Sequence, residues 1–110
     1  MYRYHLKLLI AENKRDEFVD SLRFLSGGIR AEDNCLDFSL YRDIQGKDAY
    51  IVLAEWKTRQ AMEAHFKHNN FSVLIGAAKV LGKDFEISID ETLEKGSFRF
   101  AREKIKLKQI

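Results

Sequence analysis

His65 is the residue in this 110-residue sequence best placed to do chemistry. It follows Met62 by three positions and precedes Phe66 by one, so the three share one face of any helix through this stretch. That face is apolar, and the imidazole should point inward with it. An imidazole in an apolar cavity can serve as acid, base or hydrogen-bond donor near neutral pH. The competing reading is a core histidine that satisfies a buried partner. Asn69-Asn70 interrupts the helical pattern just beyond it and can open the chain beside the ring. Trp56 and Phe71 flank the segment and, with Met62 and Phe66, are the candidate walls of a pocket.

The remaining reactive side chains offer less. His5 shares the polar side of an alternating segment with Arg3 and Lys7. His68 lies at a helix end, where a cation suits the dipole. His65 and His68 are spaced to share a metal, but a site needs three or four ligands, and neither HExxH nor a Cys–His pattern occurs. No metal is therefore expected. Cys35, the single cysteine, has no activating cation beside it in sequence and reads as a small buried residue. There is no Walker loop, GxGxxG or GxSxG, so the familiar nucleotide and flavin sites have no support.

The elements that must position His65 follow from periodicity. Tyr2, Tyr4, Leu6, Leu8 and Ile10 alternate with Arg3, His5 and Lys7, which predicts a half-buried strand. Phe18, Leu22, Leu25 and Ile29 fall at helical spacing, with Asn13 as candidate N-cap and Gly27-Gly28 as the expected stop. Residues 34–44 alternate again, with Leu36, Phe38, Leu40 and Ile44 on one side. A short polar link leads to residues 49–57, a more continuously apolar strand that should be central and covered on both faces. Thr58 is placed to cap a helix over about 59–68. Phe71, Leu74, Ile75, Ala78 and Leu81 continue as a second helical piece ending at Gly82. Residues 84–93 return to alternation through Phe85, Ile87 and Ile89. The order β-α-β-β-α-β is that of the ferredoxin-like α+β fold, a four-stranded antiparallel sheet with helices on one face. The uncovered face needs a cover, and a second copy packed sheet to sheet supplies one, so a homodimer is expected.

Composition sets the frame. There are 19 Lys and Arg against 17 Asp and Glu, a net charge of +2 that does not point to nucleic acid. Residues 96–110 are basic, with Arg99, Arg102, Lys104, Lys106 and Lys108 against Glu103. They form a tail beyond a domain expected over residues 1–95. Phe98 and Phe100 alternate with Arg99, and Ile105 and Leu107 with lysines, which predicts an extended arm carrying Ile105, Leu107 and Ile110 against a partner. One cysteine cannot form an internal disulfide, so a reducing, cytoplasmic setting is the default. No apolar run reaches the ~18 residues of a membrane span, and the alternating start MYRYHLKLLIAENK does not read as a secretory leader.

From Asn34 to Phe71 the chain resembles a known family. NCLDFSLYRD is similar to its Gly-Cys-x-x-Tyr-x-Leu strand. EWKTRQAMEAHFKHNNF is similar to its Glu-x-Trp strand end followed by a helix with Ala-His and then Phe. The family is the antibiotic biosynthesis monooxygenase domain, and the resemblance extends over about residues 1–95. It implies a dimeric α/β barrel with a pocket between sheet and helices in each subunit. Several members oxidise quinols or aromatic anthrones with O₂ and no metal, flavin or other cofactor. By matching the motif His, His65 is the implied catalytic residue, and Trp56 and Phe71 match motif aromatics. The family Glu two residues before the Trp is Ala54 here, with Glu55 adjacent to Trp56. Haem-degrading members carry a ligating His where this chain has Ile75.

Two functional readings follow. In one, the protein is a cofactor-independent monooxygenase acting on a small phenolic, quinol or polyketide-like aromatic. In the other, it is a non-catalytic small-ligand-binding or regulatory dimer using the same pocket. Haem degradation ranks below both.

Overall fold

In a computed structural model, the backbone is described for residues 1–108 and the side chains for residues 1–105. Strand β1 (Tyr2–Ile10) leads through a short 3₁₀ turn at Glu12–Lys14 into helix α1 (Arg15–Arg30). Strands β2 (Cys35–Arg42) and β3 (Ala49–Trp56) follow as a hairpin, then helices α2 (Arg59–Phe66) and α3 (Asn69–Leu81), strand β4 (Gly82–Glu91) and helix α4 (Phe98–Lys108). The sheet order is β2-β3-β1-β4, antiparallel at every pairing, which is the ferredoxin-like α+β arrangement.

The period-two pattern of β1 sends Tyr4, Leu6, Leu8 and Ile10 into the core, where each is at most 1% exposed. They meet Phe18, Leu22, Leu25 and Ile29, the buried stripe of α1, and Leu74, Ala78 and Leu81 of α3. On β3, Tyr50, Val52, Ala54 and Trp56 face the same core. The opposite face of the sheet stays open in the single chain, with Ile51 38% and Tyr41 53% exposed. β3 is therefore central but covered on one face by its own helices. On the open face His5 Nδ1 lies 3.4 Å from an Asp90 carboxylate oxygen.

Several local expectations are corrected. Helix α1 runs through Gly27-Gly28 to Arg30, because Ile29 is fully buried and anchors the last turn despite the two glycines. Its start has no side-chain cap; the 3₁₀ turn containing Asn13 replaces it. β2 ends at Arg42, and Ile44 is 99% exposed. The turn is fixed instead by Arg42, which donates twice to the Lys47 carbonyl, and by the Gln45 N–H, which donates to the Asp43 carboxylate. The tail is a helix, not an extended arm. The stretch Ala101-Arg102-Glu103-Lys104 favours helix, and Arg99–Glu103 and Glu94–Lys104 pair across it, whereas the alternation that suggested a strand spans only a few residues. Ile105 is 57% exposed; the Leu107 side chain and Ile110 lie outside the described residues. No helix among the described residues is long and apolar enough to cross a membrane.

Candidate functional site

Two chain breaks aim the side chains of the site. Thr58 caps α2, its hydroxyl accepting from the Ala61 N–H at 3.1 Å, and so sets which face of α2 turns inward. α2 stops at Phe66, and α3 restarts at Asn69 behind His68, whose Nδ1 accepts from the Asn70 N–H at 3.0 Å. His68 is thus a helix N-cap rather than a cation at a helix C-terminus.

His65 is 1% exposed, and it is the one buried polar or charged side chain among the described residues. Both of its ring nitrogens are engaged. Nε2 lies 2.7 Å from the Tyr4 hydroxyl, and Nδ1 lies 2.9 and 3.1 Å from the two carboxylate oxygens of Glu32. Asn70 Nδ2 donates to the same carboxylate at 3.1 Å. The result is a four-residue chain, Tyr4–His65–Glu32–Asn70, drawn from β1, α2, the α1–β2 connection and α3. A carboxylate only accepts, so Nδ1 carries the proton and Nε2 accepts from the Tyr4 O–H. Burial pulls the His65 pKa below the ordinary imidazole range, against the opposing pull of Glu32. Burial pushes the Tyr4 phenol well above its ordinary value, and the nearby Glu32 charge adds to this. A neutral imidazole accepting from a neutral phenol is the state both shifts favour.

Aromatic rings enclose this chain. Trp56 packs on His65 with ring centroids 4.5 Å apart, and Phe71 meets it edge-on at 5.3 Å. Phe66 and Phe71 also contact Tyr4 at 5.4 and 5.6 Å and touch each other at 4.9 Å. Trp56, Met62, His65 and Tyr4 are buried, whereas Phe66 and Phe71 are half-buried. Trp56 Nε1 is buried without an acceptor among the described residues. The sequence-derived set therefore sits in one region, with Met62 in the core on the same helix face as His65. The imidazole does not look into an open cavity: the surface hollows described for the chain are lined by other residues.

One of these hollows continues the helical face that carries Phe71. A groove of about 320 Å³ runs between α3 and β4, lined by Ile75, Ala78, Lys79, Gly82 and Phe85. Phe71, Ile75 and Ala78 fall at i, i+4 and i+7 on α3, so the groove's helical wall continues to the ring that touches Tyr4 and His65. On the sheet side, Leu6 pairs with Ile87 and Tyr4 with Ile89, so these isoleucines share the helix-facing side of the sheet. Ile87 and Ile89 are 42% and 53% exposed, which leaves the β4 edge of the apolar layer partly open.

Tyr4, Glu32 and Asn70 were not singled out by the sequence reading. Tyr4 carried a signal: a phenol at an inward strand position needs a buried partner. Glu32 and Asn70 carried none, since a turn glutamate and a helix-start asparagine are ordinary at the surface. His65 and His68 do not converge on a metal, and no group of three or more His, Cys, Asp or Glu able to hold one occurs among the described residues.

Comparison with known proteins places this geometry in context. The family profile described as "Antibiotic biosynthesis monooxygenase" matches residues 1–75. YcnE of Bacillus subtilis, provisionally named a monooxygenase, is 25% identical over 72 residues, covering 66% of this chain and 76% of its own. The uncharacterized protein sll1783 of Synechocystis is 24% identical over 86 residues; the match covers 77% of this chain but 58% of that relative's length. Among solved structures, a Deinococcus radiodurans protein provisionally assigned as an antibiotic biosynthesis monooxygenase superposes with a TM-score of 0.80 at 22% identity, covering 89% of this chain and 98% of its own. SnoaB of Streptomyces nogalater, a cofactor-independent oxygenase solved as a variant, gives 0.75 at 13% identity, with 86% and 94% covered. At these identities the structural likeness speaks for the fold.

Proposed function

The chain belongs to the antibiotic biosynthesis monooxygenase family, and from that premise we propose that it oxidises a small phenol, quinol or related aromatic with O₂, using no resident cofactor. The observation that carries this reading is a buried imidazole held by a carboxylate and covered by Phe71, one helical turn along α3 from Ile75 in a largely apolar groove. The substrate enters by the groove against Ile75 and displaces Phe71 and Phe66, which cover His65 and Tyr4, and His65 is the final acceptor of its proton. Trp56 and Met62 form the floor behind the imidazole. Deprotonation leaves an electron-rich carbanion or phenolate that can itself reduce O₂. One oxygen atom enters the product and the other leaves as water, so the protein need only take the proton and exclude solvent. The reading includes a homodimer closed over the open sheet face, with Ile51 and Tyr41 buried in it, and a cytoplasmic setting supported by the lone cysteine.

A second reading rests on a specific feature. Both His65 nitrogens are occupied and the ring is 1% exposed, as in a histidine whose task is to hold the core. In that case the groove binds a small aromatic without turning it over. Oxygen uptake by the purified protein, measured over a panel of quinols and anthrones with ¹⁸O₂, separates the two. Uptake with one labelled atom in the product, lost in His65→Gln, supports the oxygenase. Saturable binding without uptake supports the binding protein.

A further inference from the structure

We propose that Tyr4 is the catalytic residue that receives the substrate proton and that Glu32, clamped by Asn70, is the positioning residue that makes His65 ready to take the proton on from Tyr4; this rests on the oxygenase reading. Three observations carry it. The Tyr4 hydroxyl is the group on Nε2 of His65, at 2.7 Å, and Nδ1 is held by Glu32, so a proton enters or leaves Nε2 by way of the phenol. The Tyr4 ring is fully buried, one aromatic layer below the half-buried Phe66 and Phe71. It stacks on His65 at 5.5 Å, touches the half-buried Phe66 and Phe71, and pairs in register with the exposed Ile89. A substrate must move Phe71 off its edge contact with the Tyr4 ring to approach the phenol. Finally, Glu32 offers both oxygens to Nδ1 and is itself tied to Asn70, so the imidazole is fixed in rotation and tautomer by a group on another element.

The transfer balances as follows. The substrate C–H or O–H bond breaks toward the Tyr4 oxygen while the Tyr4 proton passes to His65 Nε2, and the electron pair stays on the substrate. His65 becomes an imidazolium whose Nδ1–H faces the Glu32 carboxylate, a stabilisation that a buried cation requires. O₂ is the oxidant. It takes up the substrate electrons to form a peroxide on the reacting carbon, and the first proton returns by the same route to the distal oxygen. The O–O bond then breaks as the same carbon gives up its second C–H proton and keeps the electron pair as a new C=O bond, so hydroxide and that proton depart as water. Burial favours the neutral phenol and neutral imidazole at rest, which is the starting state this sequence needs.

The test has two arms. Long-range ¹H–¹⁵N correlation of the resting protein should show His65 protonated on Nδ1 with Nε2 as acceptor. Glu32→Gln should shift that population toward the other tautomer, and Glu32→Asp should restore it in part. A wild-type protein protonated on Nε2 overturns the positioning role, whatever the activity. In the kinetic arm, with any quinol that supports oxygen uptake, Tyr4→Phe keeps the ring and its packing. It should lower kcat by ~10²–10⁴-fold with KM changed only a few-fold. Normal turnover in Tyr4→Phe overturns the relay while the oxygenase reading stands. A wild-type protein that turns over nothing on the panel sinks the oxygenase reading and the relay with it, and the tautomer result then decides Glu32 alone.

Discussion

The Tyr4 hydroxyl and His65 Nε2 lie 2.7 Å apart although 61 positions separate them in sequence. One end belongs to the strand at the middle of the sheet and the other to a two-turn helix, so the bond fixes α2 onto β1. It is also one of the two hydrogen bonds of a side chain that sequence marked for chemistry and structure shows fully enclosed.

That enclosure makes stability depend on pH in a defined direction. The folded His65 resists protonation below the ordinary imidazole range, whereas the unfolded chain binds a proton there, so the unfolded state carries more protons in that window. Stability should be full above about pH 6.5, the free imidazole value, and fall as pH drops toward the lower folded value. Tyr4, Glu32 and His68 are the titratable neighbours, and Tyr4 does not titrate there. Melting curves between pH 7.5 and 5 should show the slope in the wild type and a flatter profile in His65→Gln.

His65→Ala should cost roughly 1–3 kcal/mol, because it leaves the Tyr4 hydroxyl and part of Glu32 buried without partners. His65→Gln should cost less, since its amide can reach one of them. Urea unfolding at pH 7.5 measures both, and equal losses would show that ring packing rather than hydrogen bonding dominates.

Gly82 joins α3 to β4 where a side chain has no room. A Cβ there would stand 2.7 Å from Leu8 Cδ1 and 3.0 Å from the Ala78 carbonyl oxygen. Gly82→Ala should destabilise by ~1–3 kcal/mol through overpacking. Because Gly82 also lines the groove, the same variant should weaken binding of any aromatic ligand found there, which Trp56 fluorescence or calorimetry can follow.

Ile51 tests the assembly. Light scattering at micromolar concentration should report about twice the 12.9 kDa chain mass, and Ile51→Asp should shift it toward a single chain. A monomeric wild type would remove the homodimer from the proposal.

The tail makes a different prediction from the one its sequence pattern suggested. Phe98 is 79% and Ile105 57% exposed, so exchanging each for serine should change the unfolding free energy of the separate chain by no more than an ordinary surface substitution, about 0.5 kcal/mol each. A larger loss would show that α4 is buried in an assembly.

What was legible in the sequence was what repetition encodes. Tyr4, Leu6, Leu8 and Ile10 announced a strand, Phe18 to Ile29 a helix, and Thr58 a cap, because each rests on spacing within one element. His65 was legible as inward-facing for the same reason. Its partners were not, since nothing local ties Glu32 or Asn70 to it; the fold alone brings them together. The tail failed for the opposite reason. A few alternating residues without a neighbouring strand carry no register, and helix-favouring side chains with one i,i+4 pair, Arg99–Glu103, prevailed.

The strand order has a consequence for how the molecule comes into being. β1 is made first, yet it waits between two neighbours, β3 and β4, that are synthesised much later. The β2–β3 hairpin can close locally and β3 can then join β1, but the sheet cannot be completed until residues near 91 have emerged to pair on the other edge of β1. During that interval the backbone edge of β1 that β4 will occupy stays unpaired. Such non-local pairing slows folding, and exposed strands invite association. An open strand edge held through the synthesis of two more helices is the point at which this chain is most exposed to association before the fold closes.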